Sequence, residues 1–293
     1  YNFTFSSHFL LLPAIYLINL LACEHYLAIS FRNLEARKVD EKGPLMKVAF
    51  FPGCMVDMFY PEVGIAAVNV LERLGCEVEL PDDQVCCGQP FSNSGYIEEA
   101  KPMMKKVIDA YSKYDTIVSL TGSCAWAIKA EYPHFFEDDE EYSRKIADLA
   151  PRIYEFTQFI VEVLGVTDVG AHLEGTVTYH ASCHLTRMLG VKEPPLTLLK
   201  NVEGLTYIEM PEMDRCCGFG GTFSVKEPEV SGHMVQEKVA FALATGADYL
   251  CGADQACLMN IKGALDRMRE QGIVSSNMKV LHIAQILDSR LEA

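Results

Sequence analysis

Basic residues are scarce in this sequence. Its 25 lysines and arginines stand against 40 aspartates and glutamates, which gives a formal net charge of −15 over 293 residues. Such a chain is repelled by nucleic-acid phosphates and by anionic lipid headgroups, so we expect no nucleic-acid partner. Hydrophobic residues still make up 49% of the chain. That share excludes intrinsic disorder, and the length suggests about two domains.

Nucleotide-binding motifs are also missing. The sequence has no Walker lysine motif and no flavin signature, and the run Gly218–Gly221 lacks the third glycine of a dinucleotide fingerprint. Because this run directly follows a cysteine pair, we interpret it as a turn. The chain is therefore not expected to take a hydride from a substrate by itself.

The apolar run Phe9–Cys23 is broken by Pro13 and Asn19, and no lysine or arginine precedes it. It is a poor secretory signal and is shorter than the roughly 20 residues of a membrane span. We interpret residues 1–45 as an N-terminal extension, with a membrane anchor as the alternative. Any membrane contact is expected to be confined to this extension, and the protein is otherwise expected to be cytoplasmic.

Cysteine is plentiful, with 11 residues. Eight of them recur in two copies of one pattern, which is a single cysteine, an adjacent pair followed by glycine, and a further single cysteine. The intervals between successive positions are 31 and 36 residues in the first copy and 32 and 39 in the second, which indicates a duplication. The eight are Cys54, Cys86, Cys87 and Cys124 in the first copy and Cys183, Cys216, Cys217 and Cys257 in the second.

The repeat divides the chain into domains. We place the boundary near Leu173–Gly175, because Val166–Gly175 loses helical periodicity before the next strand. Residues 46–173 then form the first domain and residues 174–293 the second. The acidic run Glu137–Glu141 lies in the first domain, and its self-repulsion favours a solvated loop.

Strand and helix patterns alternate in both copies, which predicts two duplicated α/β domains with small parallel sheets. Each repeated cysteine position follows a strand, and the carboxyl ends of parallel strands share one edge of a sheet. We therefore expect four cysteines to converge in each domain. The predicted strands are Lys47–Phe51, Cys76–Leu80, Thr116–Leu120, Val177–His180, Leu205–Glu209 and Asp248–Cys251, with helices at Glu62–Leu74 and Ile97–Tyr111.

Four converging thiols can hold an iron–sulfur cluster, hold a zinc ion or form two disulfides. Zinc usually takes ligand pairs at a spacing of two to four residues, whereas the adjacent side chains of Cys86 and Cys87 diverge and suit different metal atoms of a cluster. Disulfides suit a secreted chain, for which the sequence offers no convincing signal. A positive φ at Gly88 and Gly218 would let backbone N–H groups approach cluster sulfurs. The cluster is favoured, and the other two interpretations stay open.

The repeated pattern resembles the cysteine-rich CCG domain family, members of which occur in heterodisulfide reductase, in the glycolate oxidase iron–sulfur subunit and in anaerobic glycerol-3-phosphate dehydrogenase. Several segments are most similar to the lactate utilization A branch of that family. The likeness runs from Met46 to about Leu291 and leaves out residues 1–45. The segments are Met46–Val48, Cys54–Phe59, Leu71–Cys76, Cys86–Pro90, Asn93–Gly95 and Cys257–Ile261.

This resemblance implies the iron–sulfur electron-transfer subunit of a three-protein system that oxidises L-lactate to pyruvate. Its partners would be lactate utilization B and C proteins, together with an electron acceptor that the sequence does not identify. An oxidoreductase subunit of this kind is not active alone. A heterodisulfide-reductase-like or glycolate-oxidase-type iron–sulfur subunit is the alternative.

One departure from the family bears on the cofactor. In the heterodisulfide reductase member each motif ends Cys-x-x-Cys and five cysteines hold an unusual cluster, whereas Ala127 and Asn260 stand at the corresponding positions here. Each copy therefore offers four thiolates, and we expect two clusters of the [4Fe–4S] type. Cys251 is an alternative fifth ligand in the second copy, although a buried strand-end cysteine is the favoured interpretation.

Residues beside the cysteines are further candidates for function. His184 is a candidate to donate a hydrogen bond to cluster sulfur or to carry a proton, and Arg187 is a candidate to bind a carboxylate through two nitrogens. The alternative for this pair is a capped helix start with a surface arginine. The charge of Arg215 would raise the potential of a nearby cluster. Trp126 is interpreted as core, with shielding of a cluster from water as the alternative.

Overall fold

Two four-stranded parallel sheets form the structure, a computed structural model that describes residues 46–290. The strands are β1 Met46–Phe51, β2 Cys76–Glu79, β3 Ile117–Ser119, β4 Ile153–Glu155, β5 His172–His180, β6 Glu203–Tyr207, β7 Tyr249–Gly252 and β8 Lys279–His282. Their orders are β2-β1-β3-β4 and β6-β5-β7-β8. The same topology in both sheets confirms the duplicated α/β fold. The expected N-terminal extension and its anchor lie outside the described residues.

Thirteen α-helices are described between residues 46 and 290, and none of them is long and apolar enough to cross a membrane. Turns of π-helix follow at Ala127–Glu131, Phe159–Val163 and His184–Met188. The helices are α1 Cys54–Phe59, α2 Pro61–Arg73, α3 Gln89–Ser92, α4 Ile97–Tyr111, α5 Gly122–Trp126, α6 Tyr132–Phe135, α7 Glu140–Leu149, α8 Phe156–Gln158, α9 Glu193–Lys200, α10 Phe223–Lys226, α11 Pro228–Ala244, α12 Gln255–Glu270 and α13 Ile283–Asp288.

Most predicted elements are present. Helix α4 has the predicted bounds, and β1, β2 and β3 differ from prediction by one residue at one or both ends. Strand β5 begins at His172 rather than Val177, so the predicted domain boundary falls inside this strand and stays a prediction. Strands β4 and β8 were not among the predicted strands, because three or four residues directly before a helix show too little alternation to be recognised.

Alternation along the strands directs side chains into different cores. Phe50 of β1 enters a core to which both domains contribute, while Phe51 enters the core of the first domain alone. Tyr179 of β5 joins the shared core, and Leu250 of β7 lies in the core of the second domain alone. The two domains therefore bury one apolar layer together.

The last helix of the second domain, α13, packs on α2 of the first. Asn69 donates to Oδ2 of Asp288 at 2.8 Å, and Nη1 of Arg73 lies 3.2 Å from Oδ1 of the same carboxylate. Arg73 also donates from Nε to the carbonyl of Val169 at 3.1 Å. These polar contacts border the shared core and hold the end of the chain against the first domain.

The acidic run Glu137–Glu141 is a loop only in its first part, so the sequence prediction is wrong for the rest. Asp139 caps α7, and its Oδ1 accepts the N–H of Tyr142 at 3.2 Å. Glu140 and Glu141 occupy the first turn, where carboxylates interact favourably with the helix dipole. Clustered negative charge at this place starts a helix.

Equivalent strand ends in the two domains carry different titratable helix caps, and both are 1% exposed. Glu155 ends β4, and its Oε2 accepts the N–H groups of Thr157 at 2.8 Å and Gln158 at 3.1 Å. His282 ends β8, and its Nδ1 accepts the N–H of Ala284 at 3.2 Å. Burial raises the pKa of Glu155 to about 7 and lowers the pKa of His282 to about 4.

Replacing Glu155 by glutamine is expected to reduce the loss of stability as pH rises. An unfolded glutamate ionises near 4.5 and the folded Glu155 near 7, so between these values the native state keeps a proton that the unfolded state has lost. The contribution of Glu155 to the free energy of unfolding therefore falls from about pH 4.5 to about pH 7. Urea unfolding at several pH values measures the difference between Glu155→Gln and wild type.

The matched control is Glu162→Gln, which makes the same change of charge at an exposed position in the following turn. Its stability is expected to follow that of the wild type across the pH range. Because His282 is present in all three proteins, its opposite contribution cancels in the comparison. A Glu155→Gln profile parallel to the wild-type profile would contradict a buried, protonated carboxyl group.

Candidate metal centres

The repeated cysteines lie beyond the carboxyl ends of strands in both domains. Cys54 begins α1 just after β1, and Cys124 lies in α5 just after β3. The pair Cys86–Cys87 lies in the loop that follows β2. The second domain repeats these positions after β5, β6 and β7. Since parallel strands end at a common edge, the loops of each domain meet there.

Four thiols come together in the first domain. Sγ of Cys87 lies 3.3 Å from Sγ of Cys124, and Cys86 shares hydrogen bonds with Cys54 and Cys87. Contact therefore runs in the order Cys54, Cys86, Cys87, Cys124. The hydroxyl of Tyr132 donates to the carbonyl of Cys87 at 2.7 Å and fixes the backbone of the pair.

Four thiols come together in the same order in the second domain. Cys216 shares hydrogen bonds with Cys183 and Cys217, and Cys217 with Cys257. Asn260, which marks the departure from the five-cysteine motif, donates to the carbonyl of Cys217 at 2.9 Å. The structure thus brings together both predicted quartets. No disulfide joins any cysteine within residues 46–290.

One thiol of each quartet ionises easily. Hydrogen bonds from its two cysteine neighbours, together with the N–H of Gly88, hold the pKa of Cys86 well below the usual thiol value. The corresponding bonds lower the pKa of Cys216 to about 2, with the Gly218 nitrogen 3.4 Å from Sγ. Both glycines have the predicted positive φ, 81° and 78°. The second cysteine of each pair has a raised pKa because its bonds to neighbouring cysteines hold its proton.

The two quartets adjoin a tight contact between the domains. The N–H of Ser123, next to Cys124, donates to Oδ2 of Asp254 at 3.1 Å. The charge of Asp254 also acts on two cysteines of the second quartet. Gly122 packs so closely that a Cβ added to it would lie 2.7 Å from Cβ of Leu185. Only glycine therefore fits at this contact.

His184 bridges the two sites. Its ring packs at a tilt of 40° against Trp126 with the centroids 5.0 Å apart, and its Nδ1 lies 3.7 Å from Sγ of Cys183. Its Nε2 lies 3.5 Å from Nε2 of Gln89, an amide nitrogen that also donates to the carbonyl of Ser123. An amide nitrogen can only donate, so this contact favours the tautomer in which Nε2 of His184 accepts and Nδ1, facing Cys183, carries the ring proton. Burial lowers the pKa of His184, so the ring is neutral at pH 7.

The other candidates beside the cysteines lie at the surface or at the domain contact. Arg187 is exposed, and its charge helps to lower the pKa of His184, so its expected role toward a carboxylate stays a prediction. Trp126 is half-buried at the domain contact, so the interpretation of it as core is wrong. Arg215 pairs with Glu237 at 2.9 Å, which compensates its charge at the surface.

Two buried basic residues at the second site were not among the predicted site residues. His180 is 1% exposed, and ligand atoms of His180, Cys217 and Cys257 all lie within 4.8 Å of one another. Within the described residues neither ring nitrogen has a hydrogen-bond partner. Lys238 is fully buried and donates to the carbonyl of Glu212 at 2.7 Å, while burial lowers its pKa to about 8. His180 could have been recognised because it lies close in sequence to a repeated cysteine, whereas nothing in the sequence distinguishes Lys238 from other lysines on helices.

Two further cysteines, Cys76 and Cys251, lie in the shared core. Burial raises the pKa of Cys76 to about 11 and raises the pKa of Cys251 further above the usual thiol value. Cys217 and Cys257 belong instead to the core of the second domain. This placement supports the interpretation of Cys251 as a buried strand-end cysteine.

Comparison with known proteins agrees with the repeat. The family model of the cysteine-rich domain, CCG, matches residues 48–129 and 177–262. Lactate utilization protein A 1 of Bacillus cereus (strain AH820) and lactate utilization protein A of Bacillus thuringiensis (strain Al Hakam) are each 55% identical over 245 residues, 84% of this chain and 100% of the relative. The chain belongs to the lactate utilization protein A family of cysteine-rich CCG proteins.

A solved structure shares the fold of this family member. The crystal structure of a hypothetical protein from Helicobacter pylori superposes with a TM-score of 0.57 at 12% identity, covering 94% of this chain and 53% of that one. At this identity the likeness shows the fold alone.

The cysteine sites of this family member fit iron–sulfur groups. Each offers four sulfur donors linked by contacts from one cysteine to the next, and the hydrogen bonds that lower the pKa of Cys86 and Cys216 favour the thiolate form that binds iron. Buried polar atoms without a hydrogen-bond partner among the described residues adjoin both quartets. They are Oγ1 of Thr121 near Cys124, and Oγ of Ser182 and both nitrogens of His180 near the second quartet.

Gly218→Ala is expected to cost more stability than Gly221→Ala. Both glycines have positive φ, 78° and 62°, so alanine is strained at both. At position 218 an added Cβ would also lie 2.8 Å from the carbonyl oxygen of Ser231 and 2.9 Å from Cβ of Met234, whereas the nearest atom at 221 is 3.8 Å away. We expect about 1–3 kcal/mol more loss for Gly218→Ala in urea unfolding. Equal losses would show that the turn beside the cysteine pair is loosely packed.

Proposed function

We propose that this chain is the iron–sulfur electron-transfer subunit of a complex that oxidises L-lactate to pyruvate. The observation that carries the proposal is the pair of cysteine quartets, each with the same order of contacts. Four thiolates per site suit a [4Fe–4S] cluster of ordinary ligation, so the proposal assigns one to each domain. The name of the relatives supports lactate as the source of electrons.

The cysteines would hold the clusters, and neighbouring N–H groups would tune them. A [4Fe–4S] cluster, when bound, supplies one-electron storage. The N–H of Gly218 points at the sulfur of Cys216, and Nδ1 of His184 faces the sulfur of Cys183. Donors to sulfur stabilise the more negative, reduced state. The ligands would be Cys54, Cys86, Cys87 and Cys124 in the first domain and Cys183, Cys216, Cys217 and Cys257 in the second.

Substrate oxidation itself is assigned to partner proteins. Conversion of a 2-hydroxy acid to a 2-oxo acid releases two electrons and two protons, and this sequence has no flavin or nucleotide motif to receive a hydride. We assign that step to partners of the lactate utilization B and C kind, and the two electrons pass singly through the clusters of this chain to an acceptor. Thiols without disulfides within residues 46–290 suit a cytoplasmic location.

The cluster assignment is tested by removing one cysteine from each quartet. Anaerobically purified wild-type protein is expected to absorb broadly in the visible and to carry about four iron and four sulfide per site. Cys87→Ser and Cys217→Ser are each expected to lose about half of the iron, and the double variant nearly all of it. Iron and acid-labile sulfide are measured against protein concentration.

Cys251→Ala provides the control, because Cys251 is a buried cysteine outside both quartets. It is expected to keep the full iron content. Iron content unchanged in both single serine variants would contradict the ligand assignment. A colourless wild-type protein that carries zinc would contradict the proposed function altogether.

The substrate is tested with the partner proteins present. We expect L-lactate to bleach the visible absorption of the clusters anaerobically, and only when B- and C-type partners are added. Bleaching by glycolate and not by lactate would favour a glycolate-oxidase-type subunit. Thiol-dependent turnover of a heterodisulfide by the isolated chain would favour the reductase alternative.

A further inference from the structure

The two cysteine sites have the same arrangement of cysteines and glycines but differ in the residues that surround them. Helix α4 follows the cysteine pair of the first domain, and α11 follows that of the second. Their buried residues have the same spacing, and they are Ala100, Met104, Val107, Ile108 and Tyr111 in α4 and Ser231, Val235, Lys238, Val239 and Ala242 in α11. The close contacts of Gly88 with Ala100 and of Gly218 with Ser231 agree with this alignment. Val107 of the first domain therefore corresponds to Lys238 of the second.

A second pair of equivalent positions lies on the strands that lead to the first cysteine of each copy. Three residues before Cys54 stands Phe51, and three residues before Cys183 stands His180. All four of these surrounding residues are at most 1% exposed. Two apolar residues at the first site are therefore replaced by two basic ones at the second.

At the first site both of these positions carry apolar side chains. Phe51 and Val107 belong to the same apolar cluster as Cys87 and Cys124. The pKa of Cys86 responds to the neighbouring thiols, to burial and to one backbone N–H. Apolar side chains at these positions offer no charge or hydrogen bond to offset negative charge added to a group held by the thiols.

At the second site, a charged lysine and a histidine ring without a hydrogen-bond partner among the described residues lie near the cysteines. Nζ of Lys238 donates to the carbonyls of Glu212 and Met213 at 2.7 and 3.1 Å, and its charge acts on Cys216, Cys217 and Cys257. His180 lies against two of these sulfurs with no other partner for its nitrogens among the described residues. Both residues favour added negative charge at this site.

Nearby acidic groups do not reverse this difference. Asp254 acts on the second quartet, but it accepts a hydrogen bond from Ser123 beside Cys124 and so adjoins both sites. Asp214 acts on Lys238 from an exposed position, where solvent screens its charge. Arg215 and Glu237 compensate each other at the surface.

We infer that the second site holds its cluster at a higher reduction potential than the first, because Lys238 and His180 stand where the first site has Val107 and Phe51. This inference rests on the proposed function. One electron lost by the reduced first cluster is gained by the oxidised second cluster, and no bond is made or broken. Electrons that enter this chain therefore collect in the second domain.

The test is an anaerobic redox titration followed by electron paramagnetic resonance, with dithionite as reductant. Cys87→Ser and Cys217→Ser assign each signal to its site. In the wild type, the signal that persists in Cys87→Ser is expected to appear at the higher potential. Lys238→Met and His180→Phe are each expected to lower the potential of that signal and to leave the other unchanged.

Two further variants separate charge from packing. Lys238→Arg keeps the positive charge and is expected to keep the higher potential, while His180→Gln restores an N–H donor and is expected to recover part of the shift. The matched control is Lys129→Met in the first domain, where Nζ donates to the carbonyl of Ile153 at 2.7 Å. It removes a half-buried lysine of the same kind and is expected to move neither potential.

The inference and the proposed function fail in different ways. Two clusters with equal or reversed potentials in the wild type would overturn the inference and leave the function in place. The wild-type titration decides this even where Lys238→Met does not fold. A shift of equal size in Lys129→Met would overturn the roles of Lys238 and His180, and a chain without iron would overturn both proposals.

Discussion

Parallel pairing of short strands is the constraint on which both cysteine sites depend. In each domain the central strand, β1 or β5, is flanked by β2 and β3 or by β6 and β7, so that three loops open at one edge of the sheet. Cysteines from distant parts of the sequence meet there without any ligand pair close along the chain, apart from the adjacent pair itself. The glycine after each cysteine pair adopts a conformation that other residues rarely accept, and its N–H then faces the first sulfur of that pair.

The structure also shows why the two domains cannot be considered separately. One apolar layer receives Phe50 from the first sheet and Tyr179 from the second, and α13 closes it by packing on α2. At the sheet edges, the rings of Trp126 and His184 pack against each other across the boundary, close to one cysteine of each quartet. The shared layer therefore fixes how the two sites face each other, and it places an aromatic contact between them.

Both cysteine sites could be predicted from the sequence because the same pattern occurs twice. The spacing of Cys54, Cys86, Cys87 and Cys124 recurs in the second copy, so a shared role followed before any fold was known. Strands β4 and β8 were not predicted because they are too short to show an alternation of apolar and polar residues. Lys238 was not predicted because a charged residue on a helix ordinarily faces water, and only the tertiary structure shows that this one is buried and that its charge acts on cysteines of the second quartet.

The shared layer has a consequence for how two unlike sites can exist at all. A chain with one copy would leave half of that layer facing water, and it would need a second molecule of itself to cover it. In such a homodimer both centres would be identical by symmetry. When the two copies are joined in one polypeptide, each still covers the apolar face of the other, but the two sites need no longer be identical. Position 180 can then carry an imidazole while position 51 keeps a phenyl ring.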